Sequence, residues 1–203
     1  KISYGYRAAF KRMGNIIYRD TVNALLGRRK PNSVRMYAWA GGGFRKVKNY
    51  RYVKKYGATP DVTKDYNVAY FPLQMEPELS LLLFSPEFVN TVEAIIWLAK
   101  CLPSNWLLVV KEQPNAFQFR SKSFYERFRQ IGNVALADPD THGWDWIRAS
   151  KLVATVTGTT GVEAVYLNRP VLSFGQHQVI NELPTVFPVT NYSEVKKSVE
   201  FII

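Results

Sequence analysis

Five short apolar runs lie between Asn67 and Phe174: "NVAYFPL", "WLLVVK", "VALAD", "LVATVT" and "PVLSF". None alternates apolar with polar residues as a strand with one wet face does, so each reads as a strand covered on both sides. Helical segments separate them. One is expected from about Ser85, an N-cap with Pro86 at the first position, to Cys101. "SKSFYERFRQIG" reads as a helix closed by Gly132, "HGWDWIRAS" as a short helix, and "GVEAVYLN" as another. Buried strands alternating with helices imply an α/β fold, a Rossmann-like doubly wound parallel sheet, which binds ligands beyond the carboxyl ends of its strands.

Ahead of this unit the texture differs. Tyr6, Phe10, Met13, Ile16, Ile17, Val22, Leu25 and Leu26 recur at helical spacing, with Gly27 as the stop. "RRKPNS" reads as a loop, and "AGGGFRKVKNYRYVKKYG" as a flexible, basic, tyrosine-bearing connection. The expected division is a basic helical and linker segment over 1–65 and a Rossmann-like domain over 66–203. Charge supports it, because 15 of the 27 Lys/Arg but only one acid, Asp20, fall in residues 1–60. A chain that opens on Lys1 and stops at "FII" is expected to be a piece of a longer protein.

One cysteine, Cys101, makes no internal disulfide, and two histidines cannot complete a Cys/His zinc site. A reducing, cytoplasmic setting follows as the expectation. The basic opening lacks the apolar segment of a signal peptide, and Leu79 to Ala99 is too interrupted for a membrane span.

Three strand ends carry polar residues suited to a ligand. "FPLQMEPELS" places Gln74, Glu76, Glu78 and Ser80 after the first strand, and "KEQPN" places Lys111, Glu112, Gln113 and Asn115 after the second. "VTGTTGVEA" places Gly158, Thr159, Thr160, Gly161 and Glu163 where a strand meets a helix. A glycine-rich turn feeding a helix exposes unpaired N–H groups, and threonine hydroxyls add donors, which suits a phosphate. Glu163 in the first helical turn can then accept hydrogen bonds from a ribose. The plainer reading is an N-cap by Thr159 or Thr160, with Glu163 placed to favour the helix dipole.

"YFPLQMEPELS", "VVKEQPN" and "VTGTTGVEAVYLNRPVLSFG", in this order and spacing, resemble the bacterial capsule polysaccharide biosynthesis family, which includes Kdo transferases. The resemblance covers about Asn67 to Gly175. It implies the C-terminal, donor-binding domain of a GT-B glycosyltransferase, needing no metal and no cofactor. Members using CMP-Kdo carry a Q-V-E-x-D-x-S segment whose aspartate acts at the anomeric carbon. Gln74, Glu76, Glu78 and Ser80 match it, with Glu78 at the aspartate's place and one methylene longer. On this resemblance Glu78 is the catalytic carboxylate and Glu76 the second candidate. Donor-binding residues are Gln74, Lys111, Gln113, Gly158, Thr159, Thr160, Gly161 and Glu163. Where the family has K-E-H-P, this chain has Gln113, which donates one neutral hydrogen bond and carries no charge.

Other features read as structural. "DPD", Asp138 to Asp140, is expected to serve a turn or N-cap rather than a metal, and His142 to sit in a helix-starting turn. His177 lies nearer the presumed donor site. "WDW" at Trp144 to Trp146 reads as helix packing and Cys101 as a buried hydrophobe.

The basic N-terminal segment fits an anionic membrane surface or a solvated face toward an acidic partner. Nucleic acid is disfavoured because no nucleic-acid-binding fold accompanies it. The sequence thus points to a glycosyltransferase of capsule or surface polysaccharide synthesis, cytoplasmic and peripheral to the inner membrane. Its partners would be a nucleotide-sugar donor, with CMP-Kdo as the first candidate, and a lipid-linked or oligosaccharide acceptor. A nucleotide-sugar epimerase of the same architecture and a non-catalytic scaffold are the alternatives.

Overall fold

The computed structural model describes residues 6–28, 36–75, 83, 85–88 and 90–203. Within them a six-stranded parallel sheet forms in the order β3-β2-β1-β4-β5-β6. The strands are β1 (Asn67–Pro72), β2 (Trp106–Lys111), β3 (Val134–Leu136), β4 (Leu152–Thr155), β5 (Val171–Ser173) and β6 (Val186–Pro188). The helices are α1 (Tyr6–Leu25), α2 (Met36–Tyr56), α3 (Thr91–Cys101), α4 (Lys122–Arg129), α5 (Gly143–Ala149), α6 (Thr160–Tyr166) and α7 (Tyr192–Ile202). The doubly wound expectation holds, and the five apolar runs are five of the strands.

The alternate side chains of β1 explain the absence of apolar–polar alternation. Ala69 and Phe71 enter one core with α3, α4 and α7, while Val68 and Tyr70 enter the other with α5 and α6. Both faces are dry, so both sets must be apolar. Trp146 of α5 is fully buried and stacks on Tyr70, with ring centroids 6.4 Å apart, as the packing reading of "WDW" requires. On the opposite face Phe174 meets Phe71 and Phe88, at 6.2 and 5.0 Å.

Several local expectations are corrected. The sequence expectation of a flexible connection over residues 40–57 fails, because Met36–Tyr56 is one 21-residue helix that contains Gly41, Gly42 and Gly43. Each glycine costs a helix about 1 kcal/mol relative to alanine, and tertiary packing overrides that here. Asn49 and Val53 of α2 are buried against the sheet domain, and Val47 is buried as well. The helix ending at Cys101 starts at Thr91 and takes its cap from Asn90, whose side chain accepts from the Val92 N–H. Ser85 instead donates its hydroxyl to the Phe174 carbonyl, and Pro86–Phe88 is a separate 3-10 turn. Cys101 is half-buried rather than buried. Helix α4 stops at Arg129, three residues before the stop expected at Gly132. Gly27 does close α1, at φ +64°.

Strand β6 and helix α7 have no counterpart in the sequence reading. Asn191 caps α7 by accepting from the Glu194 N–H, while Glu194 accepts from the Thr190 N–H. That reciprocal arrangement is a capping box in all but register.

Candidate functional site

In this strand order the chain runs outward from β1 to β3 and, on return, outward from β4 to β6. The carboxyl ends of β1 and β4 are therefore the switch point, where crossing connections diverge and leave a crevice. Gln74 leaves β1 there and Thr157 leaves β4 there, and their side chains meet at 3.0 Å. The amide orientation that satisfies both atoms of Gln74 has Nε2 donating to Thr157 Oγ1. Its Oε1 then accepts from the backbone N–H groups of Thr157, at 3.0 Å, and Gly158. Gln74 is only 5% exposed.

The turn after β4 is packed from below. Thr155 Oγ1 also accepts from the Gly158 N–H at 3.1 Å. A β-carbon on Gly158 would stand 3.1 Å from both the end of the Gln74 side-chain amide and that hydroxyl, so glycine suits the position. Thr159 is exposed and makes no side-chain cap bond with α6, and Thr160 opens the helix. Glu163 lies in the first turn, half-buried, and adds to burial in pushing the Tyr70 hydroxyl well above its usual pKa.

The segment after β5 braces this turn. Gln178 donates to the Val156 carbonyl and to Ser173 Oγ, and Asn181 donates to the carbonyls of Gly175 and Gln176. A β-carbon on Gly175 would fall within 2.2 Å of the Val156 carbonyl oxygen. His177 between them is exposed.

At the end of β2 the three motif residues diverge. Gln113 is exposed, and Lys111 reaches across to β3, where Nζ lies 3.5 and 3.4 Å from the carbonyls of Asp138 and Pro139. Burial lowers the Lys111 pKa. Glu112 points inward and is 3% exposed. Its Oε2 lies 2.7 Å from Arg120 Nε and accepts from the Tyr125 hydroxyl at 3.0 Å, while Oε1 accepts from the Gln113 N–H. Burial pushes its pKa up to about 7, against the pull of the Arg120 guanidinium. Arg120 is 8% exposed and donates through Nη2 to the Gln74 carbonyl.

Helix α2 covers the ends of β2 and β3 with one stripe, Lys46, Asn49, Tyr50, Val53 and Lys54. These fall at i, i+3, i+4, i+7 and i+8, a single helical face. Lys46 reaches Asn115, Asn49 donates to the carbonyls of Phe117 and Arg120, and Lys54 pairs with Asp138 and Asp140. Asp138 also accepts from the Asp140 N–H, which makes "DPD" the turn expected of it. His142 caps α5 by accepting from the Trp144 N–H.

Gln74, Gly158, Thr159, Thr160, Gly161 and Glu163 therefore gather around the switch point. Lys111 and Gln113 lie two strands from β4, roughly 10 Å away. Glu76 and Glu78 lie outside the described residues. Sequence reading gave Glu112 no role of its own and missed Arg120, Asn49 and Lys54. The i, i+3, i+4 spacing in α2 is the signal that could have found the last two. Among the described residues no three His, Cys, Asp or Glu side chains group as metal ligands, and no helix is long and apolar enough to cross a membrane.

The family model for capsule polysaccharide biosynthesis proteins matches residues 6–178. No curated protein matches this chain in sequence. Solved structures with a similar fold include the Thermosulfurimonas dismutans KpsC beta Kdo 2,7 transferase, at 19% identity and TM-score 0.47. That match covers 86% of this chain and 55% of the transferase. The Methanocaldococcus jannaschii UDP-GlcNAc 2-epimerase, solved with UDP-GlcNAc and UDP, matches at 14% identity and TM-score 0.50. Here 80% of this chain and 45% of the epimerase are covered, so this chain spans about half the length of the structures it matches.

Proposed function

This chain belongs to the capsule polysaccharide biosynthesis protein family, and from that premise we propose that it is the donor-binding part of a metal-independent glycosyltransferase. The donor is a nucleotide-activated sugar, with CMP-Kdo the first candidate, and the acceptor is lipid-linked or an oligosaccharide. The observation that carries this reading is the contact of Gln74 with Thr157 and Gly158. It joins the segment leading to Glu76 and Glu78 to the threonine-bearing turn at the switch point, where α/β folds of this order take nucleotides.

In this reading the donor phosphate rests on residues 158–161, against hydroxyls and backbone N–H groups, and Glu163 meets the ribose. As the acceptor hydroxyl oxygen bonds to the anomeric carbon, its proton passes to water, the bond from that carbon to the phosphate oxygen breaks, and the electron pair leaves with the nucleotide. Donors fixed at the phosphate stabilise that charge without reorganising. Glu78, with Glu76 beside it in sequence, supplies the carboxylate at the anomeric carbon. Lys111 serves the donor only by leaving the carbonyls of Asp138 and Pro139. The basic helices add a peripheral contact with anionic membrane, since Arg45, Lys48, Arg51 and Lys55 are exposed.

Calorimetry on the full-length protein tests the donor: CMP binding with indifference to UDP supports the Kdo-type transferase. The reverse preference favours an epimerase, a second reading that the fold shared with the UDP-GlcNAc 2-epimerase supports. Glu78→Gln is expected to abolish transfer and keep donor binding; undiminished transfer would remove Glu78 from the mechanism. Liposomes containing anionic lipid should bind the protein less after charge reversal at Arg45 and Lys48.

A further inference from the structure

We propose that Arg120 is a positioning residue for the donor turn: clamped by Glu112, it holds the Gln74 carbonyl, and Gln74 in turn holds Thr157 and Gly158. The proposal rests on residues 158–161 receiving the donor phosphate, and it concerns how that turn is kept in place.

Three polar side chains that sit close together in the fold, Glu112, Arg120 and Gln74, are all buried. Burying a charged pair costs several kcal/mol of desolvation, and an apolar replacement of similar volume is often no less stable. Fold stability alone is thus a poor account of this arrangement. The contacts give a better one. Arg120 Nε faces the Glu112 carboxylate while Nη2 donates to the carbonyl of a residue on another strand end. Only the planar fork of arginine spans two acceptors in this way; a lysine would present a single point charge.

The Arg120–Glu112 pair is itself anchored by its neighbours. Tyr125 and the Gln113 N–H hold Glu112, Asn49 of α2 holds the Arg120 carbonyl, and the Phe124 ring lies 4.2 Å from the guanidinium carbon. Gln74 is then fixed at both ends, by Arg120 at its carbonyl and by Thr157 and Gly158 at its side-chain amide. The ends of β2, β1 and β4 become one connected hydrogen-bonded unit, the form in which a buried polar network adds rigidity. A turn held this way keeps its geometry before the donor arrives, which spares the cost of ordering it on binding.

Amide hydrogen exchange on the full-length protein tests the relay without any ligand. Arg120→Gln, and separately Gln74→Leu, should speed exchange of the Thr157 and Gly158 N–H groups about tenfold while residues 134–149 are unchanged. The double variant should add little to either single one, because both cut the same chain. Calorimetry with CMP and UDP should show about tenfold weaker binding of whichever nucleotide the wild type takes. Arg120→Lys should fail to restore it. Unchanged exchange at Thr157 and Gly158 in a cooperatively folded Arg120→Gln protein, or additive effects in the double variant, overturns the positioning role. If the wild type binds neither nucleotide, the donor reading falls, while unchanged or altered exchange at Thr157 and Gly158 still decides whether Arg120 positions the turn.

Discussion

Lys54 of α2 stands 2.7 Å from a carboxylate oxygen of Asp138 at the end of β3, so the N-terminal helical pair is fastened to the sheet by charge as well as by apolar packing. Asp140 completes the clamp, 2.9 Å from the same ammonium and 2.6 Å from the Tyr50 hydroxyl. Burial and the bond to Asp140 push Tyr50 up to about 12.

Removing that ammonium should loosen α2 without unfolding the sheet. The hydrogen bond to Asp138, then that to Asp140, raises the Lys54 pKa above its ordinary value. A base raised in this way stabilises the fold throughout the pH range below its unfolded pKa, and the contribution is lost only as pH climbs through the folded one. Since Lys54 is nearly half exposed, Lys54→Met should cost only about 1 kcal/mol at pH 7, and less in 1 M salt. Urea unfolding at two ionic strengths would reveal it; a loss insensitive to salt would contradict the electrostatic account.

Glu112 carries the opposite sign. Its folded pKa, pushed by burial to about 7, lies above the ordinary 4.5, so the protonated form favours the fold. That contribution is complete below about 4.5 and is lost as pH rises through about 7. Glu112→Gln cannot ionise. Relative to this variant, the wild type should lose on the order of 2 kcal/mol of stability between pH 5 and pH 8. Denaturant midpoints for both proteins at the two pH values measure it, and a gain for the wild type over that interval would refute the assignment.

Gly175 and Gly132 should respond very differently to alanine. The new methyl at 175 would drive into the Val156 carbonyl and displace Gln178, whereas at 132 nothing lies within 4 Å. We expect Gly175→Ala to cost about 3 kcal/mol or more, and Gly132→Ala to stay within about 0.5 kcal/mol. Thermal and chemical denaturation of the pair would separate them; equal stabilities would show that the loop after β5 shifts freely.

The start of α3 offers a test of capping. Asn90→Ala removes the acceptor for the Val92 N–H and should cost about 1 kcal/mol, a fall in Tm of about 2–4 °C for a chain of this size. Asn90→Asp should keep nearly all of it, since an aspartate oxygen accepts the same bond. An alanine variant as stable as the wild type would place the cap elsewhere.

The central sheet was legible because burial on both faces writes itself into sequence as unbroken apolar runs. The runs from Asn67 to Phe174 supplied five strands, and their order along the chain implied the crossings. Strand β6 escaped because "VFP" is short and ends in proline, and α7 because its cap residues, Asn191 and Glu194, were not read as one signal. Helix α2 was hidden by Gly41, Gly42 and Gly43, whose local cost is outweighed by contacts with residues some 70 positions away, such as Asn49 with Phe117. The turn at Gly158 was visible because glycines and threonines are local signals. The Glu112–Arg120–Gln74 chain was not, because its members share no period and meet only once the ends of β1 and β2 are side by side.

Helix α2 also divides the labour of the sheet's carboxyl edge. Its polar stripe occupies the ends of β2 and β3 with ion pairs and amide contacts, while the loops after β4 and β5 are held chiefly by bonds to one another and to Gln74. On the donor-binding reading proposed above, substitution in residues 157–181 retunes what is bound without disturbing how the helical pair is attached. Exchanging those two loops between relatives, with 36–56 left intact, is the natural unit in which a change of ligand would be engineered.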